Sequence, residues 1–157
     1  MNIELWSIGK ANDSHINEGV NIYLQKLKQY CPTELVIIPP SKKAAKADAY
    51  QTKLLEEELI LKRLQPHHYL ILLDERGKLY NSIEWSTQFQ QLMNMGTKTV
   101  VILIGGAFGV SDNIKEQAKQ TWSLSKLVFP HQLVRLMLAE QVYRAFSILH
   151  NSPYHHI

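Results

Sequence analysis

Five short apolar runs alternate with amphipathic stretches along this chain. The runs lie at residues 3–8, 34–38, 69–74, 98–104 and 123–129, and apolar residues between them recur at the spacing of helices packed on one side. The run from Val100 to Ile104 contains no polar residue, which is typical of a strand buried on both faces. The alternation predicts an α/β fold in which a mostly parallel sheet is flanked by helices on both faces.

Cap and turn residues give the expected boundaries of these elements. Ser14 opens the first helix, and Ser82 is the expected N-cap of a helix through Met95. The other helices are expected from about Asp48, after a Ser111 cap, and over roughly 18 residues after Pro130. The polar residues 75–78 predict a turn after the third strand. The second helix is expected to turn four leucines inward, namely Leu54, Leu55, Leu59 and Leu64.

Composition limits the class of protein. A length of 157 residues fits one domain, expected over residues 1–157, and the 17 basic and 14 acidic residues give a net charge of only +3. That charge does not by itself indicate a nucleic-acid partner. The single cysteine, Cys31, has no partner for an internal disulfide. No apolar run reaches the ~18 residues of a membrane span, so we expect a soluble, cytoplasmic protein without membrane contact.

Three of the strand ends carry residues that suit a ligand site. They are Leu72-Leu73-Asp74, the turn Gly105-Gly106-Ala107-Phe108-Gly109, and the segment from Leu124 to His131. Parallel strands bring such ends to one edge, where backbone groups can bind a flat heteroaromatic ring. A dinucleotide is a poor fit, because the turn lacks the G-x-G-x-x-G spacing and no acidic residue closes a following strand.

The last helix is apolar around most of its circumference. Such a helix must be covered twice, and a second copy of the chain is the simplest partner. Glu140 and Arg144 are spaced for an ion pair on a solvated face, whereas in an interface Arg135 and Arg144 would suit a phosphate-binding cleft. The sequence leaves both interpretations open.

Two further segments have both a non-functional and a functional interpretation. Lys42, Lys43 and Lys46 form either a solvated loop or a phosphate contact. Tyr154 and His155 belong either to a disordered tail or to a surface that stacks on an unpaired RNA base. Metal binding is not expected, because neither histidine doublet has a cysteine partner or a helical i,i+4 spacing.

Five motifs together resemble one family of enzymes. LLDERGK, LIGGAFG, WSLSKLVFPHQLVR, EQVYRAFSI and NSPYHH are similar to the motifs of the ribosomal RNA large subunit methyltransferase H family, in the SPOUT class of methyltransferases. The resemblance covers essentially all 157 residues. It departs slightly at Ala107-Phe108 and at His156-Ile157.

The resemblance implies a fold with a deep C-terminal trefoil knot that binds S-adenosylmethionine. It also implies a homodimer that methylates N3 of a pseudouridine, at position 1915 of 23S ribosomal RNA, on the assembled ribosome. No metal is required. Carried over by motif, the expected cofactor-binding residues are Leu73, Gly105, Gly106, Leu124, Ser125, Lys126, Leu127, Val128 and Phe129.

Methyl transfer to an imide nitrogen needs a group that removes its proton. Our hypothesis is that His131 or His155 takes or relays the proton, while Arg135 and Arg144 hold a phosphate or a base oxygen. The alternative for His131 is a residue that only closes the turn after Pro130. Lys42, Lys43, Lys46, Tyr154 and His155 are the expected RNA contacts. A non-catalytic ribosome-associated factor is the rival function, and it would need no cofactor.

Overall fold

The computed structural model describes residues 1–156, so the last residue of the expected 1–157 domain, Ile157, lies outside the described residues. The strands are β1 (Asn2–Ile8), β2 (Thr33–Ile38), β3 (His68–Leu79), β4 (Thr99–Ile104) and β5 (Gln120–Ser123). The α-helices are α1 (Ser14–Leu27), α2 (Ala49–Arg63), α3 (Ser82–Asn94), α4 (Asp112–Gln117) and α5 (His131–Leu149). None of these helices is long and apolar enough to cross a membrane.

The five strands form one parallel sheet, as the sequence predicts. Their order is β2-β1-β4-β3-β5, so β4 lies at the centre between β1 and β3. Because all strands run in the same direction, their carboxyl ends lie at one edge of the sheet. The loops that follow β1, β3, β4 and β5 therefore begin on the same side of the molecule.

Helices cover both faces of the sheet, which confirms the layered α/β architecture. On β4, Val100, Ile102 and Ile104 pack beneath α1, α3 and α5, whereas Val101 and Leu103 pack beneath α2 and α4. All six residues of β4 are buried, so its uninterrupted apolar sequence reflects burial on two faces.

The prediction of a turn at residues 75–78 is wrong, because β3 continues through them to Leu79. Strand β5 pairs with both halves of β3, and Trp122 is the partner of both Leu73 and Lys78 across an irregularity in the ladder. Gly77 allows this approach, since a Cβ there would lie 2.6 Å from the backbone carbon of Trp122. The polar residues thus belong to a strand that is bent near the edge of the sheet.

The predicted strand at residues 123–129 is also wrong, since β5 ends at Ser123. Local hydrogen bonds replace the ladder: the Ser123 hydroxyl donates to the Ser125 carbonyl, 2.9 Å away, and the Leu127 N–H donates to Ser125 Oγ, 3.0 Å away. Serine side chains commonly compete with extended pairing in this way. Residues 124–130 consequently form a loop.

Smaller differences between prediction and structure concern the helix ends and which side of α2 is buried. Ser14 is the first residue of α1, as predicted, and Asp13 is its N-cap. Asn81 is the N-cap of α3 in place of Ser82, which is instead the first residue of that helix. Leu54 is 43% exposed, so its predicted inward position is wrong. The fully buried positions of α2 are Glu56 and Ile60. Residues 42–46 form a short 3₁₀ helix before α2.

Candidate active site

The three unusual strand ends meet in one cleft of about 340 Å³, as their positions in the sequence predict. The walls come from residues 72–76 of β3, residues 104–110 after β4, and the loop after β5 together with the start of α5. Eight of the nine expected cofactor-binding residues line this cleft, namely Leu73, Gly105, Gly106, Leu124, Ser125, Leu127, Val128 and Phe129. Lys126, the ninth, does not line it.

The glycine turn forms one wall of the cleft with its backbone. The Gly109 N–H donates to the Gly106 carbonyl, 3.0 Å away, and Gly109 has a φ of 76°, which glycine adopts without strain. Opposite the turn, Leu127 is 69% exposed and Val128 is 78% exposed. Apolar side chains left open beside backbone polar groups suit a ligand that has both a flat apolar ring and hydrogen-bonding edges.

A buried carboxylate lies against this turn. Glu56 of α2 is 6% exposed, and its side chain occupies the space that a Cβ on Gly106 would fill. Within residues 1–156, Glu56 Oε2 has no hydrogen-bond partner. Burial raises the pKa of Glu56 to about 6, because the charged form loses hydration without gaining a counter-charge. Sequence reasoning missed this residue, since it lies within an acidic run that reads as a solvated face.

The pKa of Glu56 predicts a pH-dependent stability. Since the folded pKa of about 6 exceeds the reference value of 4.5, the free energy of unfolding falls as pH rises from about 4.5 to 6 and is level above it. The fall should be roughly 2 kcal/mol, at about 1.4 kcal/mol per pKa unit. Glu56→Gln should remove this part of the profile and stabilise the protein at pH 7.5, as measured by urea unfolding between pH 4 and 8.

Glu58→Gln is the matched control, because Glu58 is exposed and paired with Lys62 on the same helix. Hydrogen bonding to Lys62 lowers the pKa of Glu58, so this substitution should not stabilise the protein at pH 7.5. Equal pH profiles of the unfolding free energy for Glu56→Gln and the unchanged protein would contradict the raised pKa of Glu56.

His131 is half-buried at the first position of α5 and lines the cleft. Burial, together with the nearby Arg135 cation, lowers its pKa. The imidazole is therefore neutral at neutral pH and able to accept a proton.

Arg135 points into the protein interior. It is 1% exposed, and it donates from Nε to Ser7 Oγ and from Nη1 to the Lys10 carbonyl, both at 2.7 Å. Arg135 thus ties α5 to β1 and to the loop that follows β1, and its contact with a phosphate or base oxygen stays a prediction.

The C-terminal tail is packed on α5. Tyr154 stacks edge-on against Tyr143 with ring centroids 4.7 Å apart, and its hydroxyl donates to Glu140 at 2.9 Å. Arg144 also donates to Glu140, and its Nη1 lies 3.3 Å from His155 Nδ1. The ion pair of Glu140 and Arg144 is thus confirmed. Tyr154 is half-buried against α5, and its contact with an RNA base stays a prediction.

Within one chain the expected catalytic residues form two separate groups. Arg144 and His155 do not line the cleft. Arg144 lies about 20 Å from His131 along α5, at about 1.5 Å per residue. Lys42, Lys43 and Lys46 are exposed on the 3₁₀ helix, outside the lining of the cleft. Between residues 1 and 156, no group of three histidine, cysteine or acidic side chains is placed to hold a metal ion.

Several residues that line the cleft were not assigned from the sequence as binding residues, namely Asp74, Glu75, Arg76, Phe108 and Val134. Asp74 and Phe108 belong to strand ends that the sequence marked for a ligand site, although they were not named as cofactor-binding residues. Glu75 and Arg76 continue β3 where the sequence predicts a polar turn. Phe108 is 55% exposed in the glycine turn.

Comparisons with known proteins agree with this geometry. Residues 1–155 match the family described as "Predicted SPOUT methyltransferase". The chain is 43% identical over 156 residues to ribosomal RNA large subunit methyltransferase H of Parabacteroides distasonis, with 99% of each chain covered. The protein of the same name from Flavobacterium johnsoniae is 44% identical, again with 99% of each chain covered.

A solved structure shares the fold. It is described as a probable methylase family protein from Haemophilus influenzae, and it matches with a TM-score of 0.52 over 96% of this chain and 66% of that chain. The sequence identity is 16%, so this likeness concerns the fold alone. From the family match and the full-length relatives together, the resemblance seen in the motifs is confirmed: the chain belongs to the SPOUT methyltransferases, within the family of ribosomal RNA large subunit methyltransferase H proteins.

Proposed function

We propose that this protein transfers a methyl group from S-adenosylmethionine to N3 of a pseudouridine in 23S ribosomal RNA, at the position implied by its family, in the cytoplasm and on the assembled ribosome. The observation that carries the proposal is the cleft built from three strand-end loops in a chain of this family. Its relatives are named for methylation of large-subunit ribosomal RNA.

The residues of the cleft fit the proposed cofactor. The adenine ring would lie between the glycine turn and the apolar residues of the 124–129 loop, with backbone groups reading its edges. Asp74 and Glu75 would face a cationic ligand across the cleft. Bound S-adenosylmethionine would supply an electrophilic methyl group, so the protein has only to position the two reactants and manage one proton.

A C-terminal trefoil knot is part of the proposal. The segment after β5 is fixed on one side to β3, because Ser123 at the end of β5 pairs with Leu79 of β3. On the other side, Arg135 ties α5 to β1. A chain held at both points crosses the carboxyl edge of the sheet beside the glycine turn, which is where the family's knot is expected.

His131 is our choice for the proton acceptor. It is half-buried and neutral at neutral pH, and it lies at the wall of the cleft. Arg144 keeps its charge, because the hydrogen bond to Glu140 raises its pKa. A permanent cation paired with only one carboxylate suits stabilisation of an RNA phosphate or of charge that develops on the base.

The distance between the two groups of catalytic residues supports a homodimer. In a single chain Arg144 is about 20 Å along α5 from His131, and His155 lies beside Arg144, so a second copy would be needed to bring them to the cleft. The partly exposed apolar residues Leu136 and Met137 of α5, which do not line the cleft, would be covered in such a dimer. Lys42, Lys43 and Lys46 would add exposed positive charge toward RNA.

The test is transfer of labelled methyl from S-adenosylmethionine to ribosomes from a strain that lacks this protein. We expect label in 23S RNA, with mass spectrometry placing it on N3 of a pseudouridine. His131→Ala should lower the transfer rate by 10²-fold or more, as loss of a general base does, while cofactor affinity by calorimetry stays within about threefold.

Two outcomes would contradict the proposal in different ways. A dimeric protein that neither binds S-adenosylmethionine nor transfers label would favour a non-catalytic ribosome factor. Full activity of His131→Ala would leave methylation intact but remove His131 as the base, leaving His155 as the alternative.

A further inference from the structure

A second cleft opens next to the first. It has a volume of about 620 Å³ and lies between the loop after β1 and the start of α5. Gly9, Lys10, Asn12 and Asp13 form one wall, and the other is formed by Pro130, His131, Gln132, Leu133 and Arg135. His131 lines both clefts, so an occupant of the second cleft would lie against an occupant of the first.

The loop at this second cleft is held in place by hydrogen bonds to Gln132 and Arg135 of α5. Gln132 accepts from the Asp13 N–H at 3.0 Å and donates to Asn12 Oδ1 at 2.7 Å. The buried Arg135 holds the Lys10 carbonyl, and Gly9, with a φ of 130°, leaves room for the Arg135 side chain. The wall is therefore organised before any ligand arrives, which lowers the cost of binding.

The chemistry of the second cleft suits a nucleotide. The side chain of Lys10 is exposed, and among the described residues no carboxylate forms a salt bridge with it. An unpaired ammonium group at the rim provides a point of attachment for a phosphate. The Asn12 side chain donates no hydrogen bond within residues 1–156, so its amide remains able to read a base edge.

We propose that the second cleft receives the acceptor nucleotide of RNA, a pyrimidine whose base lies beside His131 and whose phosphate lies at Lys10. This inference rests on the proposed function, since it assigns to that reaction a place for its second substrate. The shared His131 would then lie beside the imide nitrogen, while that nitrogen faces the methyl carbon directly. The proton would pass from that nitrogen to the imidazole as the methyl carbon leaves sulfur and bonds to nitrogen.

The test uses uridine 5′-monophosphate as the probe and the full chain labelled with ¹⁵N. Titration should shift the backbone amides of residues 9–13 and 131–132. Lys10→Ala should weaken the fitted affinity at least threefold. Lys98→Ala is the matched control, because Lys98 is an exposed lysine that precedes β4 at the opposite edge of the sheet, and it should leave the affinity unchanged.

Three results would overturn this assignment. One is the absence of shifts at millimolar nucleotide, and another is a set of shifts confined to residues 42–46 or to the tail. The third is a set of shifts that changes when the protein is diluted but does not change when nucleotide is added. That result would mean that a second copy of the chain fills the cleft. Calorimetry with S-adenosylmethionine tests the proposed function separately, so failure of either idea is distinguishable from failure of the other.

Discussion

Gly106→Ala is expected to destabilise the protein by about 3 kcal/mol and to weaken binding of S-adenosylmethionine at least tenfold. The new Cβ would overlap both carboxylate oxygens of Glu56, whose buried side chain would have to move. Either the turn shifts into the cleft or the α2 side chain is displaced from its site. Urea unfolding and calorimetry measure the two effects independently.

Removal of the carboxylate should rescue this variant. In the double variant Gly106→Ala/Glu56→Ala the methyl group would occupy the space that Glu56 left, so the two substitutions should be strongly non-additive in the free energy of unfolding. Gly106→Ala/Glu58→Ala is the control, because Glu58 is exposed on the same helix and does not contact the turn. Normal stability and cofactor affinity of Gly106→Ala alone would show that the turn does not need a glycine there.

The sequence was sufficient to predict the layered fold and the place of the cleft. Uninterrupted apolar runs such as Val100–Ile104 report burial on both faces, and strands that are all parallel necessarily place their ends at one edge. These two facts were enough to predict that Leu73, Gly105 and the 124–129 loop lie together, even though the strand order was not known.

Sequence periodicity failed where tertiary contacts decide the local structure. The polar residues 75–78 read as a turn, yet β5 pairs across them and extends β3. The apolar residues 124–129 read as a strand, yet serine hydrogen bonds fold them into a loop whose apolar side chains line a cleft instead of the core. Both segments contribute residues to the lining of the cleft, so their polarity does not follow the usual rules of burial. Local sequence patterns are expected to fail at such functional sites.

Residue type alone does not reveal the partners of a charged side chain. Glu56 and Glu58 lie two positions apart in one acidic run, but Glu56 is buried against Gly106 while Glu58 pairs with Lys62 in solvent. Arg135 and Arg144 are similarly alike in sequence. The first is buried under the loop after β1, and the second is partly exposed beside the tail.

Arg135→Met should separate a positioning role for Arg135 from a direct contact with RNA. Methionine preserves much of the side-chain volume but leaves the buried Ser7 hydroxyl and the Lys10 carbonyl without their donor. Hydrogen bonds from a charged donor typically contribute about 1.5–3 kcal/mol each, and release of the buried cation offsets part of that loss. We therefore expect a loss of about 3 kcal/mol in the free energy of unfolding, measured in urea.

The same substitution should also impair methyl transfer, since the loop at residues 9–13 would lose its attachment to α5. Ser7→Ala removes one of the two acceptors, so its effect on stability should be smaller and should largely disappear in the Arg135→Met background. If Arg135 instead contacted a phosphate directly, Arg135→Met would leave the unfolding free energy unchanged and weaken only ribosome binding. That pattern would support the phosphate contact that the sequence predicts for Arg135. It would also contradict the idea that Arg135 holds the loop beside His131 in place before a ligand binds.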